Sequence, residues 1–328
     1  MPPPSIFYAD AVLFDMDGTL TDSIAAVEAA WGKVAQDIGQ DPVHVVAATH
    51  GRRAIDNLAH FKPHLRAHEI EDAIDAFERT ILFYADAHRR AQSFSGASSA
   101  SRTPYESSSS GGEESDTPAS SVGSFSAAER PSFATRLSQA LLNDALAGSA
   151  VADDACDDCG IAASASYEDV FKDAWQLEAA STDRAVRILP GVKRMIDSLP
   201  VGRYAVATSG AKTYAHGCMN RVGIIPPPVT ITADDRRLKQ GKPAPDPFLL
   251  AAECLGVDAR KCVVFEDSPS GIRSGVAAGA IVVAVCTSHS REKIEGCGAH
   301  YLVENMEKVR CEVVERGGRE CLKFTVEA

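Results

Sequence analysis

The chain has 328 residues, 45% hydrophobic and 24% charged, enough apolar material for one large core or two modest ones, which excludes a chain disordered throughout or a fibrous one. With 33 Lys+Arg against 45 Asp+Glu the formal charge is -12, so the basic footprint of a nucleic-acid or anionic-membrane binder is missing and neither partner is expected. Nine scattered cysteines, no basic-then-apolar leader and no apolar run of roughly 18 to 20 residues point to a reduced, soluble, cytoplasmic protein, expected to be a monomer.

Residues 11–14 form an unbroken apolar run that ends at Asp15, the pattern of a short strand covered on both faces. From about Thr21 to Arg187 every patterned stretch reads as helix, at 24–38, 54–61, 69–87 and 167–180. Within it, residues 93–126 carry 14 serines and almost no aliphatic side chains, too little apolar surface to offset the entropy of ordering, and a disordered insertion is expected there. A weak helical pattern follows at 126–146, then small and acidic residues at 150–166. Runs at 204–207 and 262–265 end in Thr208 and in Glu266-Asp267, further strands are expected at 229–232 and 281–285, and helical patterns lie at 192–199, 212–222, 248–255 and 271–278. This alternation predicts an α/β fold with a doubly wound, Rossmann-like parallel sheet and right-handed crossovers. The expected division is an α/β core at 1–21 and 187–328, an inserted helical domain at 22–92 and 167–186, and a low-complexity, largely disordered insertion at 93–166.

In such sheets ligands sit at the carboxyl ends of the strands, where the chain places its polar groups. Asp15 and Asp17, on the turn after the first strand, can point into one cleft; paired carboxylates there bind a divalent metal, or one attacks while the other moves a proton. Gly18 permits the tight turn and Thr19 adds a hydroxyl. Thr208, Ser209 and Gly210 end a strand before a helix, where hydroxyls and free N–H groups can hold a phosphate oxygen, or act as an ordinary helix cap. Lys242 sits in a proline-stiffened loop that can fix a point charge. Glu266 and Asp267 close an apolar strand, where burial is costly without a cation.

Taken together and in order, these residues resemble the haloacid dehalogenase-like phosphohydrolase superfamily: Asp15 to Thr19 match its DxDGT motif, Thr208 its second, Lys242 its third, and Glu266-Asp267 its fourth. The resemblance implies that Asp15 is a nucleophile forming an aspartyl-phosphate and that Asp17 protonates the leaving oxygen and later activates water. It implies Mg2+ held by the Asp15 and Asp267 carboxylates and the Asp17 carbonyl with Glu266 in support, and phosphoryl oxygens held by Thr208 and Lys242. The inserted helices correspond to a cap that closes over the site. Longer strings, among them Thr49-His50-Gly51-Arg52-Arg53 and Gln240-Gly241-Lys242-Pro243, resemble the fungal branch of glycerol-1-phosphatases and 2-deoxyglucose-6-phosphate phosphatases, over about 10–90 and 187–303. That implies a small phosphorylated metabolite as partner, with Arg53 and His50 as cap contacts to it. The chain departs from the branch at Arg52, where an aromatic residue is expected, and in the long insertion.

Two other readings stand beside the phosphatase: a phosphosugar mutase built on the same core and cap, and a non-catalytic phosphometabolite-binding regulatory protein whose insertion docks a partner. Cys156 and Cys159 have a metal-site spacing without a second pair, and Pro63 interrupts any helix carrying His60, His64 and His68.

Overall fold

The computed structural model describes residues 4–97 and 173–327. The helical pattern at 126–146, the Cys156 to Cys159 spacing and all of the expected insertion beyond Ala97 lie outside the described residues. The chain divides into two compact units, Met1–His88 with Asp183–Ala328, and Arg89–Thr182.

The first unit carries the strands β1 (Ser5–Ala9), β2 (Ala11–Phe14), β3 (Thr21–Asp22), β4 (Arg187–Ile188), β5 (Tyr204–Ala207), β6 (Thr230–Ile231), β7 (Cys262–Glu266), β8 (Ile281–Val285), β9 (Tyr301–Val303), β10 (Val309–Arg316) and β11 (Arg319–Val326). A six-stranded sheet has the order β6-β5-β2-β7-β8-β9, and every pairing in it is parallel. β2 and β7 are buried along their whole length, as their unbroken apolar runs require of central strands covered on both faces. On one face Phe248, Ala251 and Ile272, from the helices Asp246–Leu255 and Pro269–Ala277, pack on Leu13, Val264 and Val282. Gly275 permits this approach, since a Cβ there would stand 3.0 Å from methyl groups of both Val264 and Val282. The doubly wound sheet expected from the sequence is therefore present.

The chain leaves the sheet at β3 and returns at β4, and these pair antiparallel, Thr21 with Ile188 and Asp22 with Arg187. Between them run the helices Ile24–Asp37, Pro42–Thr49, Ala54–Phe61 and Ala67–Ala97. Periodicity did not predict Pro42–Thr49; its signal is capping, with the Asp41 side chain accepting from Val43 N–H and Pro42 in the first turn. The helix Ala67–Ala97 runs past its expected end at 87 and into the serine-rich stretch, because 87–92 (AHRRAQ) is rich in good helix formers.

A second, antiparallel sheet, β1-β11-β10, was not expected. Its Phe7 stacks on Tyr301 and Phe324 with ring centroids 5.0 Å apart in both pairs. In the second unit the helix Ala174–Ser181 begins with a capping box between Asp173 and Gln176. Among the described residues no helix is long and apolar enough to cross a membrane.

Candidate active site

The turn after β2 is built by one carbonyl: Met16 O accepts from Leu20 N–H at 2.8 Å and Thr21 N–H at 3.0 Å. Gly18, at φ 78°, is required twice over, because a Cβ there would also overlap the Asp267 carboxylate. This fold-back brings Asp15 and Asp17 against the ends of the neighbouring strands.

Lys242 reaches the site from the loop before the helix Asp246–Leu255 and follows the same proline-rich path the sequence suggested, with a cis Lys242–Pro243 peptide. Only 3% exposed, its Nζ donates to Asp15 Oδ1 at 2.5 Å and to Glu266 Oε1 at 2.8 Å. Burial works against its charge, but the two carboxylates outweigh it and hold the ammonium's pKa above its usual range. Glu266 is fully engaged: Oε2 accepts from the N–H groups of Asp267 and Ser268, both at 2.8 Å, and from the Ser268 hydroxyl at 3.1 Å. It thus fixes both the lysine and the backbone that presents Asp267. Gly271 makes room for it, since a Cβ there would overlap the Glu266 carboxylate.

Asp17 faces a different set of groups. Its Oδ1 accepts from Ser23 at 2.5 Å and Tyr214 at 2.6 Å, and Oδ2 from Thr208 at 3.5 Å. Burial raises its pKa, and the Ser23 and Tyr214 hydroxyls moderate the rise. Thr208 Oγ1 in turn accepts from Gly210 N–H at 3.1 Å. Asp15 is pushed up to about 7, first by burial and further by the charges of Glu266 and Asp17, against the pull of Lys242.

Asp267 is held by three neighbours that surround its carboxylate: Thr19 donates to Oδ1 at 3.1 Å, Ser288 donates to Oδ2, and Gly18 lies against it. Burial, then the charges of Glu266 and Asp15, raise its pKa well above the carboxylate range. Oxygen atoms of Asp15, Glu266 and Asp267 lie within 4.8 Å of one another. The set is all oxygen, the chemistry that hard divalent cations take. One lysine against four carboxylates in a buried space leaves a negative excess that such a cation would offset. The residues therefore fit a divalent metal, with Asp15 and Asp267 better placed than Glu266, whose oxygens are occupied.

Asp15, Asp17 and Asp267 line a cavity of about 80 Å³, to which Trp31, Phe77 and Ile81 contribute apolar wall. Ser209 lines it too and donates to Gly51 O at 3.2 Å, which ties the loop after the helix Pro42–Thr49 to the end of β5. Of the expected cap contacts, His50 lines the cavity, with its Nε2 3.0 Å from Glu28 Oε1. Arg53 does not line it: the guanidinium pairs with Asp56 at 2.8 Å, and its side chain packs where a Cβ on Gly241 would stand. Arg52 lines the cavity instead. Of the expected site residues, Asp15, Asp17, His50, Ser209 and Asp267 line the cavity, Thr208 and Lys242 are hydrogen-bonded to Asp17 and Asp15, Glu266 to Lys242, and Arg53 does neither.

Sequence reasoning missed Ser23, Tyr214, Ser288 and His289. Ser288 and His289 follow β8 and obey the strand-end rule applied to the other strands, so that signal was available. Burial, followed by the charges of His50 and Lys293, lowers His289 to about 4, which keeps this residue of the cavity wall neutral at physiological pH.

A family model described as haloacid dehalogenase-like hydrolase matches residues 9–279. Hexitol phosphatase A of Escherichia coli is 28% identical over 275 residues, 83% of this chain and 81% of that protein. Glycerol-1-phosphate phosphohydrolase 2 of Saccharomyces cerevisiae is 36% identical over 132 residues, 37% of this chain and 52% of that protein, so the likeness spans about half of it. 2-deoxyglucose-6-phosphate phosphatase 1 of the same yeast is 24% identical over 322 residues, 92% of this chain and 90% of that protein. All three are phosphatases, the enzyme class expected from the motifs, and the two yeast proteins are of the fungal branch expected from the longer strings. The family match runs from the strand before Asp15 to the end of the helix after Asp267, and the chain belongs to the haloacid dehalogenase-like hydrolase family.

Proposed function

We propose that the chain is a magnesium-dependent phosphomonoesterase that hydrolyses a small sugar or polyol phosphate, of the glycerol phosphate or 2-deoxyglucose 6-phosphate type, through an aspartyl-phosphate on Asp15. The observation that carries this reading is the 2.5 Å contact of Lys242 Nζ with Asp15 Oδ1 inside a buried carboxylate cluster. A carboxylate approaches a phosphate dianion only where positive charge offsets the repulsion, and the lysine places that charge at the attacking group. A divalent ion held by Asp15, Asp267 and the Asp17 carbonyl would supply further positive charge and keep Asp15 ionised.

In this reading Asp15 forms a bond to phosphorus as the bond from phosphorus to the leaving oxygen breaks, and Lys242 and Thr208 steady the phosphoryl oxygens. Asp17 gives its proton to the leaving alcohol, which its raised pKa favours. It then takes a proton from the water that cleaves the acyl phosphate, releasing inorganic phosphate and restoring Asp15. The helices between β3 and β4 act as the cap, excluding bulk water and presenting His50 and Arg52 to the alcohol.

Purified protein with magnesium should release phosphate from glycerol phosphate, a hexitol phosphate or 2-deoxyglucose 6-phosphate, and Asp15→Asn should abolish it. Turnover that survives Asp15→Asn overturns the mechanism, and conversion of a hexose phosphate to an isomer without free phosphate overturns the hydrolase reading.

A further inference from the structure

We propose that a groove at the amino-terminal ends of β5, β2 and β7, at the opposite end of those strands from the candidate active site, binds a polyphosphate anion: the phosphate chain of a nucleoside triphosphate or inorganic tripolyphosphate. The inference goes beyond the phosphatase reading and uses none of its residues.

In a chain of formal charge -12, this groove of about 690 Å³ is lined by Arg203, Arg260, Lys261, Arg316 and Arg319 against Asp10 and Glu320. Its size is that of a small-molecule site. Topology gathers part of the set: Asp10, Arg203 and Lys261 immediately precede β2, β5 and β7, and β2 lies between the other two strands. At about 3.3 Å per residue, β2 separates Asp10 from Asp15 by about 16 Å. The Arg203 guanidinium is fixed by two carbonyls, donating to Asp10 O at 2.9 Å and to Glu320 O at 3.3 Å. Those bonds orient the cation and leave its charge in place.

Arg316 and Arg319 come from the β10–β11 hairpin. Its Gly317-Gly318 turn, with φ 61° and 76°, sets them directly opposite one another. Like charges so placed repel. The neighbouring Glu315 and Glu320 are opposed in turn, and side-chain alternation puts those acids on the other face of the sheet. Arg316 lies over the ring of Tyr8, 4.4 Å from its centroid, which holds the guanidinium without neutralising it. Arg260 is paired with Asp258 at 2.7 Å, but among the described residues Lys261, Arg316 and Arg319 pair with no carboxylate. Three elements thus turn uncompensated cations toward one groove, an arrangement that an anion relieves. Guanidinium forks match phosphate oxygens, and a chain of phosphates can meet several of these cations at once.

The test is isothermal titration calorimetry of the full chain in EDTA, where the metal-free carboxylates at Asp15 disfavour anions, with tripolyphosphate, ATP, orthophosphate and a short poly-glutamate. Tripolyphosphate should bind once per chain, about tenfold or more tighter than orthophosphate, and more weakly as salt rises. The double variant Arg316→Gln/Arg319→Gln should weaken it by about tenfold or more and leave turnover of phosphate esters unchanged. Lys261→Gln, on a different element, should weaken it by about threefold or more and serves if the hairpin variant does not fold. ATP that binds more tightly than tripolyphosphate identifies a nucleotide as the ligand, and ATP that binds equally or less tightly identifies the inorganic chain; both support the site. It is overturned if tripolyphosphate does not bind, if both variants bind it as wild type does, or if orthophosphate binds as tightly. Poly-glutamate bound as tightly would mark a surface for acidic proteins and overturns it too. Binding is read without turnover, so failure of the phosphatase reading leaves this result untouched.

Discussion

The Tyr214 hydroxyl donates to Asp17 Oδ1 at 2.6 Å across 197 positions of sequence. With Ser23 on the same oxygen, it fixes the carboxyl and leaves Oδ2 with only the longer 3.5 Å contact from Thr208. Tyr214→Phe keeps the buried ring and removes the donor. It should lower kcat by about ten- to a hundredfold, the cost of a hydrogen bond to a charged group, with a smaller effect on KM. Steady-state kinetics check this, and a kcat within twofold of wild type would mean that Ser23 alone orients Asp17.

Lys242→Met should remove activity and also destabilise the fold. It leaves Asp15 and Glu266 buried without their shared cation, and breaking such a pair costs about 3–5 kcal/mol. Denaturant unfolding of the metal-free variant against wild type measures it. A loss below about 1 kcal/mol would mean that the carboxylates take up protons instead.

Asp267 bears on the metal in two opposed ways. Its charge is unfavourable in the metal-free protein, where burial, Glu266 and Asp15 raise its pKa, yet it is a proposed ligand. Asp267→Asn should therefore melt higher than wild type without metal and gain little from magnesium. Wild type should gain about 2.7 kcal/mol at a metal concentration a hundredfold above Kd. Melting curves with magnesium and with EDTA separate the two effects.

Glu78 gives a pH dependence of known sign. Its pKa rises from 4.5 to about 7 on folding, chiefly through burial, so between those values the folded state binds more protons than the unfolded one. Its contribution to stability is neutral below pH 4.5 and becomes unfavourable as pH rises to 7, by up to about 3 kcal/mol. Glu78→Gln should thus melt progressively higher relative to wild type from pH 4.5 to 7, and the difference should level off above 7. A constant difference across that window would place the group's folded pKa near its unfolded one.

Gly271→Ala should disturb Glu266 without touching any reacting group. The new methyl would overlap the carboxylate that holds Lys242, with a stability cost of about 1–3 kcal/mol. Because the lysine is displaced too, kcat should fall by at least about tenfold. Activity and melting temperature on the same sample would show whether the two losses travel together.

The central sheet and its strand-end acids were legible because each is encoded locally: an apolar run, then Asp15, Thr208 or Glu266 at its end. Lys242 was legible because its prolines fix a loop. Ser23 and Tyr214 were not, since nothing in their immediate sequence distinguishes them from ordinary helix residues until folding brings them to Asp17. Arg53 was singled out by its neighbours in sequence, and it is Asp56, three residues on, that takes its charge. β1, β10 and β11 escaped notice because they are mostly half-exposed and pair only with one another.

The two ends of the chain meet in that last sheet, Ser5 opposite Val326 and Ala9 opposite Leu322. β1 has β11 as its sheet neighbour, and Phe7 stacks on Phe324, so β1 finds its partner only when segments far apart in sequence have met. Until Phe324 is in place, the buried ring of Phe265, 6.2 Å from it in the finished fold, lacks one of its covers and β1 offers an open edge. The central sheet is assembled from strand–helix units close in sequence, whereas this second sheet joins strands at opposite ends of the described fold, so its closure is the entropically costlier, later step of folding.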